Sequence, residues 1–262
     1  MDANKKTIIE KFNQSVKGKR ADTTNSNQSH DGKVGHWLEK QMGVTPNADN
    51  KPDLLGYEMK NQTSSGKISF GDWTPDEYIF QHGRPKKHHA TNQNFNMTKN
   101  EFIQTFGKSN PDKNNRYSWS GIPCPSKFNI INTYGQVITI DTNNDIVIIY
   151  DYSKDTRVDK SLIVAQNMQL NHLVLVRWKY QSIKTKLEDK FNQQGWFTCT
   201  TDNTGIYNSI HFGAPINYIT WLNLFKQGLV FFDSGMKENE SRNYSIWRSA
   251  TVNWDNLITD SY

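Results

Sequence analysis

Ile8, Ile9, Phe12 and Val16 recur at helical spacing until Gly18, which predicts a first helix near the start of the chain. A polar stretch without periodicity, Lys19–Asp31, follows as a loop. Val34, Trp37, Leu38 and Met42 then line one face of a second predicted helix, ended by Gly43. Beyond the turn chemistry of Thr45–Pro52 the period changes. Leu54–Lys60 alternates like a half-buried strand, and Lys67–Trp73 is its expected hairpin partner. A basic cluster, Arg84–His89, leads through an Asn-rich stretch to a short helix at Thr98–Phe106 and a proline-bearing loop at Ser109–Pro125. Strands are predicted at Gly135–Asp141 and Asp145–Asp151, joined by Thr142-Asn143-Asn144, and again at Leu173–Trp178. Helices are expected at Ser182–Phe191 and Asn217–Lys226, then a strand at Leu229–Asp233 and a charged loop at Ser234–Arg242. Helices and strands mix without strict βαβ alternation or any repeat, which predicts a mixed α/β (α+β) class.

Composition narrows the function classes. At 262 residues with 35% hydrophobic and 12% aromatic content, the chain can bury a sizeable core. The longest apolar runs are strand-sized, such as Ile146–Tyr150, well short of the roughly 18 residues a membrane span needs. Eight Trp, eleven Tyr and thirteen Phe argue against wholesale disorder, and Trp178, Trp196, Trp221 and Trp254 sit in apolar patterns expected to be core. Cys124 and Cys199 are too few for a disulfide framework and are expected as reduced thiols. Met1–Asn13 lacks an apolar signal core, so a soluble, cytoplasmic protein is expected. The net charge of +5 is a weak pointer to a polyanionic partner.

The candidate chemistry lies between Asp31 and Lys60. On a strand, Glu58 and Lys60 share one face while Tyr57 and Met59 point to the other. A bend at Gly56 brings Asp53 back beside Glu58. Two carboxylates and a backbone carbonyl, that of Met59, form a hard-oxygen set suited to Mg²⁺, with Mn²⁺ an expected substitute. Such a cation polarises a phosphate oxygen and acidifies water, and an ammonium beside it stabilises the charge that develops on phosphorus. Lys60 serves either as base or as the group that positions the nucleophile. Glu39, on the second predicted helix, reaches the same cluster as a third acid or pairs in solvent with Lys40 or Lys33. Asp, a spacer and Glu-X-Lys recur by chance, so a salt-bridged polar strand in a non-catalytic DNA-binding protein is the competing interpretation.

The string Gly32-Lys33-Val34-Gly35-His36-Trp37-Leu38-Glu39, then Met42-Gly43, then Pro52-Asp53-Leu54-Leu55-Gly56-Tyr57-Glu58-Met59-Lys60 resembles the active-site region of MutH-like endonucleases. These are the mismatch-repair nickase and its type II restriction relatives within the PD-(D/E)XK nuclease superfamily. The resemblance implies a restriction-endonuclease-like central mixed sheet flanked by helices. It also implies that Asp53 and Glu58 are metal ligands, Lys60 the catalytic lysine and Glu39 the helix-borne acid. The four-residue spacer between Asp53 and Glu58 is closer to some restriction enzymes than to the nickase. The implied activity is Mg²⁺-dependent hydrolysis of double-stranded DNA at a short sequence, leaving 5′-phosphate ends. A cognate DNA methyltransferase is the implied genetic partner and the bacterial cytoplasm the implied location. A strand-specific nickase is the alternative from the same chemistry.

Further along, Phe232–Lys237, Ser241–Ser245 and Trp247-Arg248 resemble the strand-loop-strand with which restriction-enzyme relatives enter a DNA groove. Ser234, Lys237, Arg242, Asn243 and Arg248 are suitable donors to bases or phosphates, with pairing to Glu238 and Glu240 as the plainer alternative. Lys86 and Lys87 in the basic cluster are candidate phosphate contacts. His82, His88 and His89 lack zinc-site spacing. A catalytic lobe over roughly residues 1–125 and a recognition lobe over roughly 126–262 are expected in a single nuclease chain, the second continuing the cleft of the first.

Overall fold

The computed structural model describes residues 2–24, 32–45, 49–63, 65–80 and 95–262. Helices α1 (Ala3–Ser15) and α2 (Lys33–Gln41) precede strands β1 (Tyr57–Lys60), β2 (Lys67–Asp72) and β3 (Glu77–Tyr78). Helix α3 (Lys99–Phe106) leads to β4 (Lys108–Asn110), β5 (Arg116–Trp119), β6 (Tyr134–Ile140) and β7 (Ile146–Asp155). After α4 (Lys160–Ile163) come β8 (Leu173–Trp178), α5 (Tyr180–Phe191), β9 (Gly195–Thr201) and β10 (Tyr207–Gly213). Then follow α6 (Tyr218–Lys226), β11 (Val230–Ser234), β12 (Met236–Lys237), β13 (Ser245–Ala250), α7 (Thr251–Asp255) and β14 (Ile258–Ser261). The class is mixed α/β, as expected. No helix among the described residues is long and apolar enough to cross a membrane.

Two compact units emerge, and neither is continuous. One comprises Met1–Ile68, Lys186–Thr220 and Ser249–Tyr262; the other comprises Ser69–Thr185 and Trp221–Arg248. The chain therefore does not divide at a single point near residue 125. The cause is long-range strand pairing: β1, from the first quarter of the chain, finds its partner in β9.

In the first unit the sheet runs in the order β1-β9-β10-β14. Strand β1 is parallel to β9, whereas β10 is antiparallel to both β9 and β14. The expected hairpin of Leu54–Lys60 with Lys67–Trp73 does not form, because β2 belongs to a different sheet, β11-β13-β2. One face of the first sheet carries Tyr57, Met59, Phe197, Cys199, Ile210 and Phe212, packed with Ile8, Phe12 and Val16 of the α1 segment and with Leu38 and Met42 of the α2 segment. Each such side chain removed from water contributes about 1.5–3 kcal/mol before entropy is counted. Helix α1 starts where the Asp2 side chain accepts from the Asn4 N–H at 2.8 Å, and the chain leaves it at Gly18 with φ +78°. In α2, Trp37 stacks on Tyr207 with ring centroids 5.7 Å apart, but Val34 is exposed, so the apolar stripe is narrower than its spacing suggested.

The second unit holds the sheet β3-β8-β7-β6, including the expected β6–β7 hairpin, which turns through Asn144 at φ 63°. Helix α3 opens with a capping box in which Thr98 and Glu101 satisfy each other's backbone N–H groups. Part of the region expected as loop, Ser109–Pro125, forms β5, which pairs with β4 and β12. Trp178 and Trp221 are buried here, as Trp196 and Trp254 are in the first unit, and both cysteines are free and buried.

Candidate active site

The site begins with a tight turn. Leu54 and Tyr57 exchange backbone hydrogen bonds at 3.0 and 2.8 Å around Leu55 and Gly56, both at positive φ (52° and 84°). Positive φ at both central residues is the mark of a type I′ turn, and glycine suits the second position. Gly56 is doubly constrained, since a Cβ there lies 2.9 Å from Cγ of Gln194. The turn reverses the chain so that Asp53 Oδ2 accepts the Met59 N–H at 2.9 Å. A carboxylate that starts before the strand is thereby pinned alongside it.

Within β1 the alternation does the rest. Tyr57 and Met59 enter the apolar core, while Glu58 and Lys60 project from the other face, opposite Trp196 and Thr198 of β9. That second face is covered in part by Phe191 and Trp254, whose ring centroids lie 6.0 Å apart, and Trp196 meets Trp254 edge-on at 4.9 Å. Glu58 is 2% exposed and Lys60 8%. The Lys60 ammonium sits 2.7 Å from Glu58 Oε1 and 5.1 Å from the centre of the Phe191 ring. Glu58 Oε2 is buried without a hydrogen-bond partner. A buried charged oxygen left without a donor is costly, and it marks a position that a cation can fill.

Electrostatics ties the remaining acids to this pair. Burial, reinforced by the charge of Glu58, pushes the Asp53 carboxyl up to about 6. Burial also raises Glu39, whose field includes His36, Lys60, Glu58 and Lys190. Lys60 is lowered by its own burial, opposed by Glu58. Glu39 lies on α2 and its Oε1 accepts from Asn61 Nδ2 at 3.4 Å. Gly35, one helical turn earlier, leaves the room this needs, since a Cβ there comes within 2.9 Å of Asn61 Nδ2. The four expected residues, Glu39, Asp53, Glu58 and Lys60, thus share one electrostatic neighbourhood. Among the described residues no group of three His, Cys, Asp or Glu side chains forms a metal cage by itself. A cation here would draw on Asp53, Glu58, the Met59 carbonyl and water.

One member was not foreseen. Lys190, in the last turn of α5, places its ammonium 3.1 Å from the same Glu58 Oε1 that holds Lys60. Two contacts anchor this part of the chain beside the Asp53 turn: Asn50 donates to the Lys186 carbonyl, and Gln194 donates to the Gly56 carbonyl. The apolar ridge Ile183-Leu187-Phe191 betrays the helix, but nothing in the local pattern says that Lys190 faces a strand far back in the sequence.

The expected DNA contacts divide. Lys86 and Lys87 lie outside the described residues. Ser234 and Asn243 are 3% and 4% exposed, so neither presents its side chain to a base edge in this structure, a correction to their expected role. Ser234 Oγ instead accepts the Met236 N–H at 3.2 Å, and the Asn243 carbonyl accepts from Ser245 Oγ at 3.1 Å, which frames the loop. Arg242 is the open one: its side chain is 62% exposed, pairs with Asp72 at 2.7 Å and lies over the Tyr244 ring at 4.6 Å. Arg248 pairs with Asp233 at 2.8 Å, and Lys237 lies 3.5 Å from Glu240.

A solved complex of the restriction endonuclease MvaI with its cognate DNA substrate superposes with a TM-score of 0.58, at 11% identity, covering 100% of this chain and 98% of that one. That likeness concerns the fold alone. The type II restriction enzyme ScrFI of Lactococcus lactis subsp. cremoris is 44% identical over the full length of both chains. The family described as LlaMI restriction endonuclease matches residues 16–262. The chain belongs to the LlaMI restriction endonuclease family and is a type II restriction endonuclease.

Proposed function

We propose that this enzyme hydrolyses both strands of double-stranded DNA at a short specific sequence in a Mg²⁺-dependent reaction, leaving 5′-phosphate and 3′-hydroxyl ends. The observation that carries the reading is the unsatisfied, buried Oε2 of Glu58, next to a second carboxylate and a buried lysine. Asp53, Glu58 and the Met59 carbonyl fit a hard divalent cation by donor type, with Mn²⁺ as a substitute. Bound there, the cation supplies Lewis acidity toward a phosphate oxygen and acidifies water. The protein's own groups do the remainder. Glu58 holds Lys60 in place; as the ammonium, Lys60 orients the attacking water, and as the neutral amine that its burial favours it takes that water's proton. Glu39 and Asn61 border the same space. Arg242, Arg248 and Lys237 are the proposed DNA contacts in the second unit, and Lys86 and Lys87 are retained as phosphate contacts. Such a reading implies a cognate methyltransferase protecting host DNA and a bacterial cytoplasmic location.

The test is digestion of a sequenced plasmid with mapped fragment ends. Discrete linear fragments with Mg²⁺, none with chelator, and losses on the order of a thousandfold in Asp53→Ala, Glu58→Ala and Lys60→Ala are expected. DNA binding in Ca²⁺ should persist in all three variants. Open circles alone would assign a nickase, and undiminished activity in Glu58→Ala would leave the acids a structural role.

A further inference from the structure

Glu58 Oε1 receives two ammonium groups, from Lys60 at 2.7 Å and Lys190 at 3.1 Å, while Oε2 of the same carboxylate receives no hydrogen bond. One cation is enough to neutralise one carboxylate. Two cations crowded on one oxygen repel each other, and they are tolerated because Asp53 and Glu39 add negative charge to the same space. The two lysines differ in freedom. Lys60 is 10% exposed at its side chain and lies over the Phe191 ring, whereas Lys190 is 19% exposed at the end of a helix and has a flexible stem with which to reach solvent.

We propose that Lys190 is a counter-cation of the catalytic centre, holding part of a divalent cation's place at Glu58 until that cation displaces it. This rests on the assignment of Asp53 and Glu58 as the metal-binding carboxylates. A divalent charge arriving at Oε2 repels both ammonium groups, and Lys190 is the one able to leave. Lys190 is therefore a positioning residue that competes with the metal. It keeps the buried carboxylates compensated when no metal is bound, at the expense of metal affinity.

The sign of the effect makes the idea testable. Mn²⁺ binding to the full chain without DNA is followed through the electron paramagnetic resonance of free Mn²⁺, in wild type, Lys190→Met, Lys190→Gln, Lys190→Arg and Glu58→Gln. Loss of the competing charge should tighten Mn²⁺ binding by about three- to tenfold in Lys190→Met and Lys190→Gln, with Lys190→Arg close to wild type. The same two variants should melt at lower temperature without metal and gain more from added Mn²⁺ than wild type gains. Unchanged or weaker Mn²⁺ binding in the two neutral variants, with a normal loss of binding in Glu58→Gln, overturns the counter-cation role alone. Binding that is untouched by Glu58→Gln instead overturns the placement of the metal site. The Gln variant and the melting curves keep the comparison decisive if the Met variant folds poorly.

Discussion

Asp53 accepts a hydrogen bond from the Met59 N–H across a two-residue turn, so the carboxylate that precedes β1 and the strand carrying Glu58 and Lys60 move as one piece. The separation of these acids is set by the local backbone rather than by packing between distant elements. With Asp53 and Glu58 as the proposed metal ligands, the turn itself should be a determinant of activity.

Substitutions in the turn should therefore have opposite signs. Gly56→Val places a β-branched residue at φ 84° and brings its Cβ against Gln194, so it should destabilise the fold by about 1–3 kcal/mol. It should also depress cleavage more than DNA binding. Leu55 is exposed and sits at φ 52°, where asparagine is at ease, so Leu55→Asn should stabilise by roughly 0.5–1 kcal/mol. Urea unfolding of both variants checks the pair, and a stabilising Gly56→Val would refute the strain argument.

Asp53 also sets a pH dependence. Its folded-state carboxyl titrates near 6 rather than 3.8, so between those values the folded protein binds more protons than the unfolded chain. The metal-free protein gains from this group below about pH 4 and loses that gain as pH rises through 6, by at most about 3 kcal/mol. Asp53→Asn should remove the loss. The stability difference between wild type and variant, measured from pH 4 to 7.5, should slope in this window, and a flat difference would contradict the shift. Cleavage runs the other way. A carboxylate must be deprotonated to bind metal, so activity at limiting Mg²⁺ should fall as pH drops through 6 and recover with added metal.

Arg242 offers a contrast between reading bases and holding phosphates. Its guanidinium is exposed and braced by Asp72 and Tyr244. Arg242→Ala should weaken binding to the target by about 1–3 kcal/mol while affecting random DNA less. Gel shifts in Ca²⁺ with target and scrambled duplexes measure both. An equal loss on the two duplexes, with a shallower salt dependence, would make it a phosphate contact instead.

Much of this was legible in the chain. The period-two alternation of β1, the glycine before it and the helix-borne acid all act over short range, where local sterics and side-chain direction decide. The β6–β7 hairpin was readable for the same reason, through the turn chemistry of Thr142-Asn143-Asn144, and α3 forms where the short helix was expected. What stayed hidden depends on distance along the chain. Trp196-Phe197-Thr198-Cys199 is buried on both faces, so it carries no period-two signal, and its parallel pairing with β1 leaves no local mark. Lys190 was invisible because its partner Glu58 lies in another part of the sequence. The burial of Ser234 and Asn243 follows from tertiary packing that their polar character gave no cause to expect.

The parallel pairing of Tyr57–Lys60 with Gly195–Thr198 has a consequence for biosynthesis. A nascent polypeptide that has left the ribosome only as far as residue 180 already contains the Asp53–Lys60 segment, yet lacks both the strand it docks on and the second ammonium. Contacts of such wide sequence separation form late. With the active site proposed above, prematurely terminated fragments of this length would be inert toward DNA.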